Sequence, residues 1–71
     1  MTEYAIVIED AGGNLSAYVP DLPGCVATGA TYDEVTAHIR EAIALHIESL
    51  RAHGEPVPLP RVVVERVAVA A

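Results

Sequence analysis

One helix-length pattern at residues 31–54 dominates this sequence and limits the folds that it can adopt. Thr31 and Glu34 have the spacing of a capping box, in which the threonine side chain accepts the amide of the glutamate. Gly54 stands where a left-handed residue commonly ends a helix. The pattern therefore predicts one surface helix, from Thr31 to about His53, with an apolar stripe at a spacing of about 100° per residue. The stripe consists of Val35, Ile39, Ala42, Ile43, His46 and Leu50.

Three short segments before the helix have the alternation of strands. Residues 3–9 alternate tyrosine and isoleucine with other side chains, and residues 15–19 alternate after a glycine-rich turn. These two segments are expected to form an antiparallel hairpin. Residues 20–24 contain two prolines and a glycine and predict a fixed connector. Residues 25–28 are then expected to form a short third strand.

A last strand is predicted at residues 61–69, after the proline-rich linker of residues 56–60. Both of its faces carry valines, with Val62 and Val64 on one face and Val67 on the other. Because a single helix covers one side of a sheet, the second apolar face indicates contact with another copy. Val62, Val64 and Val67 are therefore expected at a homo-oligomer interface, in a dimer or a higher assembly. The predicted fold is α+β, a two-layer β-β-β-α-β domain with its helix on an antiparallel-type sheet.

The length of 71 residues is enough for a single domain, expected to span residues 1–71. Such a domain buries about 60% of its unfolded surface, so disulfides, metals or self-association usually support it. Cys25 is the only cysteine, which excludes a disulfide within the chain and favours self-association. No apolar run approaches the length of a membrane span, and the N-terminus lacks the basic region of a signal peptide. A cytoplasmic protein without a membrane partner is expected.

The charge of the chain restricts its partners. Ten acidic residues face four basic ones, and the formal net charge is −6. Phosphate backbones repel such a chain, so direct binding of nucleic acid is not expected, whereas a basic protein is attracted. A negative charge also keeps a small domain in solution, and this simpler reading stays open.

No set of side chains in the sequence predicts catalysis, a metal or a cofactor. Cys25 has no neighbour in sequence that lowers its pKa, so a buried structural thiol is expected. Along the helix axis His38 and His46 are about 12 Å apart and His46 and His53 are about 10 Å apart, too far to share a metal within one chain. Each is therefore expected to be a structural residue that makes a hydrogen bond. A metal across a dimer axis and a metal-dependent nuclease remain as weaker alternatives.

Three stretches of the chain together resemble the HicB-like antitoxin family of bacterial toxin–antitoxin systems. They are residues 4–13, residues 16–31 and the helix with its end at residues 39–56. Residues 18–25, which read Tyr-Val-Pro-Asp-Leu-Pro-Gly-Cys, are the most specific part. The resemblance covers essentially the whole chain.

This resemblance implies a non-enzymatic protein that binds and neutralises HicA, a small basic toxin that cleaves messenger RNA. Many members also carry a C-terminal DNA-binding segment, and this sequence, which stops at Ala71, resembles a short form that lacks it. A stand-alone oligomeric binding or structural protein with no toxin partner is the alternative. Rigid loops present side chains at little entropic cost, so the partner is expected to contact the proline-rich connector and nearby acids. The residues predicted for this contact are Glu9, Asp10, Tyr18, Asp21, Leu22 and Pro23.

Overall fold

The structure is a computed structural model, and it describes residues 2–71. Three strands precede one long helix, and the strands form an antiparallel sheet in the order β1-β2-β3. The helix packs on β3 and β2. The predicted α+β architecture with a helix on one face of a sheet is therefore confirmed. The elements are β1 (Val7–Asp10), β2 (Leu15–Tyr18), β3 (Val26–Gly29) and α1 (Tyr32–Ala52).

The ends of α1 lie where the sequence predicts them. Thr31 is the N-cap, and its Oγ1 accepts a hydrogen bond from the amide of Glu34 at 3.1 Å. Asp33 and Glu34 occupy the first turn, where negative charge complements the helix dipole. Gly54 follows the helix with a φ of 67°. No helix among residues 2–71 is long and apolar enough to cross a membrane.

A small core lies between α1 and the inner face of the sheet. Gly29 is buried at the end of β3, directly beneath the first turn of the helix. A Cβ atom added at Gly29 would lie 2.5 Å from the backbone nitrogen of Val35. The absence of a side chain at this position therefore sets how closely helix and sheet approach. The buried apolar side chains are Ala17, Val19, Leu22, Cys25, Val35 and Ile39.

The proline-rich connector between β2 and β3 folds as two consecutive turns. The carbonyl of Val19 accepts the amide of Leu22 at 3.0 Å, and the carbonyl of Leu22 accepts the amide of Cys25 at 3.0 Å. Each turn has a proline at its second position, and Gly24 supplies the positive φ of 84° that a type II turn requires. The Val19 amide also donates to the Cys25 carbonyl at 3.2 Å, which closes the loop. The connector is thus fixed by its own backbone.

The first strand is shorter than predicted. Residues 3–6 carry the expected alternation, yet the ladder begins at Val7, which pairs with Tyr18. The reason lies in the partner strand, because after Tyr18 the chain turns into the connector and offers no backbone to residues 3–6. Tyr4 and Ile6 remain half-buried against the core.

The predicted last strand is not formed within the chain. Residues 61–71, called the tail below, carry no helix or strand and are exposed along their whole length. Val62, Val64 and Val67 are 41%, 63% and 79% exposed. The prediction of a fourth strand in the sheet of the same chain is therefore wrong. Its alternating valines are present, but the backbone at the start of the tail is held elsewhere.

Candidate protein-binding surface

The sheet surface that faces away from α1, called the outer face below, carries one apolar row across all three strands. Val7 pairs with Tyr18, and Tyr18 pairs with Val26, so the three side chains point to the same side. Tyr18 is 42% exposed and Val26 is 65% exposed. With strands about 4.8 Å apart, the row is about 10 Å wide. This is an apolar strip of a kind that interfaces use at their centre.

A polar row lies beside the apolar row on the outer face. Glu9 pairs with Ser16, and Ser16 pairs with Thr28, one alternation further along the strands. The outer face thus combines an apolar strip with a neighbouring carboxylate. Sequence reasoning found Tyr18 and Glu9 but missed Val7 and Val26, because their position opposite Tyr18 depends on the register of two strand pairs.

The six residues predicted to contact a partner do not form one patch. Glu9 and Asp10 lie at the end of β1, whereas Asp21 and Pro23 lie in the connector beyond the opposite end of β2. Tyr18 lies on the outer face near the connector. Leu22 is completely buried, with 0% exposure, so its side chain has no access to a partner. Its predicted place in the contact surface is therefore corrected to one in the core.

Asp21 has a structural role that the sequence does not predict. Its Oδ2 accepts hydrogen bonds from the backbone amides of Arg61 at 3.1 Å and Val62 at 3.2 Å. The hydroxyl of Tyr4 donates to the carbonyl of Pro58 at 2.6 Å, just before this point. The two contacts fix the start of the tail to the end of the sheet where the connector lies. Asp10 is also engaged locally, because its Oδ1 accepts the amide of Gly12 at 3.0 Å.

Two histidines make hydrogen bonds to backbone carbonyls through Nδ1. His38 contacts the carbonyl of Thr28 in β3 at 2.6 Å, and His53 contacts the carbonyl of Ser49 at 2.7 Å. These contacts agree with the interpretation of the histidines as structural residues. His46 is half-buried. Within residues 2–71, no three or more His, Cys, Asp or Glu side chains are grouped closely enough to hold a metal ion.

An open groove, called the β1 groove below, runs between α1 and the chain segment that leads into β1. Its volume is about 360 Å³. Its apolar walls are Tyr4 and Ile6 on one side and Ile39 and Ile43 on the other, with Glu3 and Arg40 among the polar lining residues. Helix α1 packs on β2 and β3, so the side of the sheet next to β1 is left uncovered.

Comparison with known proteins identifies the family. Residues 4–70 match the family described as HicB-like antitoxin of bacterial toxin–antitoxin systems. The chain belongs to the HicB-like antitoxin family. This HicB-like chain is 42% identical over 57 residues to a UPF0150 protein of Thermoplasma acidophilum, across 79% of its own length and 83% of the relative. A UPF0150 protein of Synechocystis is 40% identical over 63 residues, across 87% and 80% of the two chains.

A solved structure also matches the HicB-like chain. One chain of a HicA3 and HicB3 toxin–antitoxin complex superposes with a TM-score of 0.73 and is 36% identical in sequence. The match covers 82% of this chain and 69% of that chain. The predicted relationship to HicB-like antitoxins is therefore confirmed by sequence and by fold.

The most specific motif of the resemblance has a clear structural role in this HicB-like chain. Residues 18–25 place Tyr18 on the outer face, Leu22 in the core and Asp21 against the start of the tail. The two prolines and Gly24 shape the turns that hold these three side chains in different directions. One rigid connector therefore links the outer face, the core and the tail.

The thiol of Cys25 is expected to be protected in the folded HicB-like domain. It is 3% exposed, and burial raises its pKa above the ordinary value of 9.0, so the unreactive protonated form persists. We expect labelling by a thiol reagent to be at least about a hundredfold slower in buffer than in concentrated urea. A Cys25→Ala variant controls for reagent consumption. Equal labelling rates with and without urea would contradict a buried thiol.

Proposed function

We propose that this chain binds a HicA-type mRNA-cleaving toxin and neutralises it by direct contact. The observation that carries the proposal is the likeness to a chain of the HicA3 and HicB3 complex, at 36% identity and a TM-score of 0.73. A role by contact also suits the family, which is described as HicB-like antitoxins of bacterial toxin–antitoxin systems. The net charge of −6 favours association with a basic protein and slows association with nucleic acid.

The outer face is the surface that we assign to the toxin. Its apolar row offers Tyr18, an aromatic residue of the kind that dominates interface energies, between Val7 and Val26. Glu9 on the same face and Pro23 at its end complete a surface with an acidic margin. Such a margin accelerates encounter with a basic partner, while the apolar centre slows dissociation. A toxin bound here would lie opposite α1.

The test uses the full chain and a HicA-type toxin, taken from the neighbouring gene where one is present. The wild-type chain is expected to co-purify with the toxin and to suppress cleavage of messenger RNA. If no complex forms and RNA cleavage continues at a molar excess of the chain, the proposed function is wrong.

A pair of matched variants tests the assigned surface. Tyr18→Arg places a positive charge in the apolar row and is expected to weaken toxin binding at least about tenfold, measured by titration calorimetry. Tyr32→Arg makes the same chemical change at the start of α1, at a side chain that is 65% exposed, and is expected to leave binding unchanged. Equal losses for both variants would overturn the assignment to the outer face.

A stand-alone oligomeric binding protein is the second candidate function. The observation in its favour is the exposed tail, since Val63 and Val67 are 78% and 79% exposed and have no use in a lone chain. The two candidates differ in genetic context. A gene with no small basic reading frame beside it would favour the second candidate, and a neighbouring HicA-type gene would favour the first.

A further inference from the structure

The tail has the composition of an apolar strand but belongs to no strand or sheet of its own chain. Valine occupies five of its eleven positions, in both alternation rows, and the side chains are 41–79% exposed. A segment rich in β-branched residues has a strong preference for a ladder, and it needs a sheet edge to form one. Nine extended residues, 61–69, reach about 30 Å, which is longer than β1 and its leading segment together.

The two edges of the sheet differ in whether their backbone groups already have hydrogen-bond partners. On β3, the carbonyl of Thr28 is already occupied by the ring of His38 at 2.6 Å. On β1, the outer edge pairs with no strand of residues 2–71, and the β1 groove lies open beside it. Ile6 and Ile43, in the apolar walls of this groove, are only half-buried. The β1 edge is therefore the place where an added strand removes the most apolar surface from water.

The contacts at the start of the tail keep it away from the β1 edge of its own chain. The chain passes Tyr4 at Pro58 and then reaches Asp21, which lies beyond β2 in the connector. A strand on the open edge of β1 lies two strand spacings from β2, about 10 Å away. Pairing with its own β1 would require Arg61 and Val62 to leave the carboxylate of Asp21. The stiff Pro58-Leu59-Pro60 segment also resists a reversal of direction.

We propose that the tail of one copy adds as a fourth strand to the β1 edge of a second copy and covers its β1 groove, and that the exchange is reciprocal. In a two-fold dimer of this kind, each tail pairs with the β1 edge of the other copy, and neither edge is left unpaired. The anchor at Asp21 stays intact and fixes the direction in which each tail leaves its domain. This inference concerns self-association, and its test contains no toxin, so it stands or falls independently of the proposed function.

Two full-length variants separate the strand donor from the strand acceptor. The donor-defective chain carries Val63→Asp and Val67→Asp, at exposed sites that leave its own domain unchanged. The acceptor-defective chain carries Ile43→Glu, which puts a charge into the wall of the β1 groove. Control changes are Ala71→Asp at the tip of the tail and Ile47→Glu, at a half-buried helix site that does not line the groove. Circular dichroism verifies that each chain is folded.

Light scattering after size exclusion, at micromolar concentration, gives the result. The wild type and both controls are expected to be dimers, and each defective chain alone is expected to dissociate at a concentration at least about tenfold higher. A one-to-one mixture of the two defective chains is expected to dimerise at a lower concentration than either chain alone, because one exchange is then intact and both defects fall on the other. A monomeric wild type, or an Ile43→Glu chain that dimerises as the wild type does, would overturn the exchange. A mixture that dimerises no better than either defective chain alone would overturn it as well.

Discussion

Replacing Gly29 by alanine is expected to remove a large part of the free energy that keeps this domain folded. The added Cβ would lie 2.5 Å from the nitrogen and 2.8 Å from the Cα of Val35, both backbone atoms in the first turn of α1. Since neither atom can turn aside, relief requires the helix to move off β3. Overpacking of this kind costs about 1–3 kcal/mol and more where backbone must shift. A domain of this size has about 4–10 kcal/mol in total.

The control for Gly29→Ala is Gly13→Ala. Both changes add a Cβ atom, but at Gly29 it meets backbone atoms and at Gly13 it meets none. Gly13 has a φ of 115° but has nothing within 4 Å of an added Cβ. Its substitution costs backbone strain alone, about 1 kcal/mol or somewhat more. Urea unfolding of both variants measures the difference. A Gly29→Ala chain as stable as Gly13→Ala would contradict the close contact between β3 and α1.

Replacing Leu22 by alanine is expected to destabilise the domain by about 2–5 kcal/mol. Leu22 is fully buried and, with Ile39, is one of the two largest of the six buried apolar side chains, so the cavity has few neighbours that can fill it. The two turns that surround it fix its backbone and prevent collapse of the loop into the space. Thermal unfolding followed by circular dichroism measures the effect. We expect the Tm of the variant to lie well below that of the wild type.

Leu45→Ala is the matched control for Leu22→Ala. Leu45 is 61% exposed on α1, and alanine favours a helix slightly more than leucine. The control is therefore expected to change stability by less than about 0.5 kcal/mol. If both leucines have equal effects, the connector does not hold Leu22 in the core as the structure describes.

The helix could be predicted from sequence because its determinants are local. The cap at Thr31, the acidic first turn and Gly54 all lie within a few residues of the ends that they define. The hairpin and the connector were predictable for the same reason, since turn residues act over four positions. Pairing is less local, and the true start of β1 at Val7 depends on where β2 ends and turns away.

The tail and the contact surface depend on contacts between residues that lie far apart in the sequence, which local patterns do not predict. The valine pattern correctly indicates a strand, but a strand forms only where an edge accepts it. The hydrogen bonds from Arg61 and Val62 to Asp21 span about forty residues of sequence, and no local sequence pattern predicts them. In the same way, Leu22 and Tyr18 belong to one motif, but the register of β2 directs Tyr18 outward and the turns of the connector direct Leu22 inward.

The contacts at the start of the tail also bear on how this domain can vary over evolution. The core is complete before Gly54. The amide of Glu55 donates to the carbonyl of Leu50, and beyond Glu55 the chain is hydrogen-bonded to the rest of the domain at Tyr4 and Asp21, with Val57 half-buried between them. New sequence can therefore be joined after Val62 without any change to the packing of the sheet and helix or to the contacts with Asp21. A reporter protein fused at this point would hinder self-association through the tail and leave the outer face free. Self-association and binding at the outer face could then be measured separately.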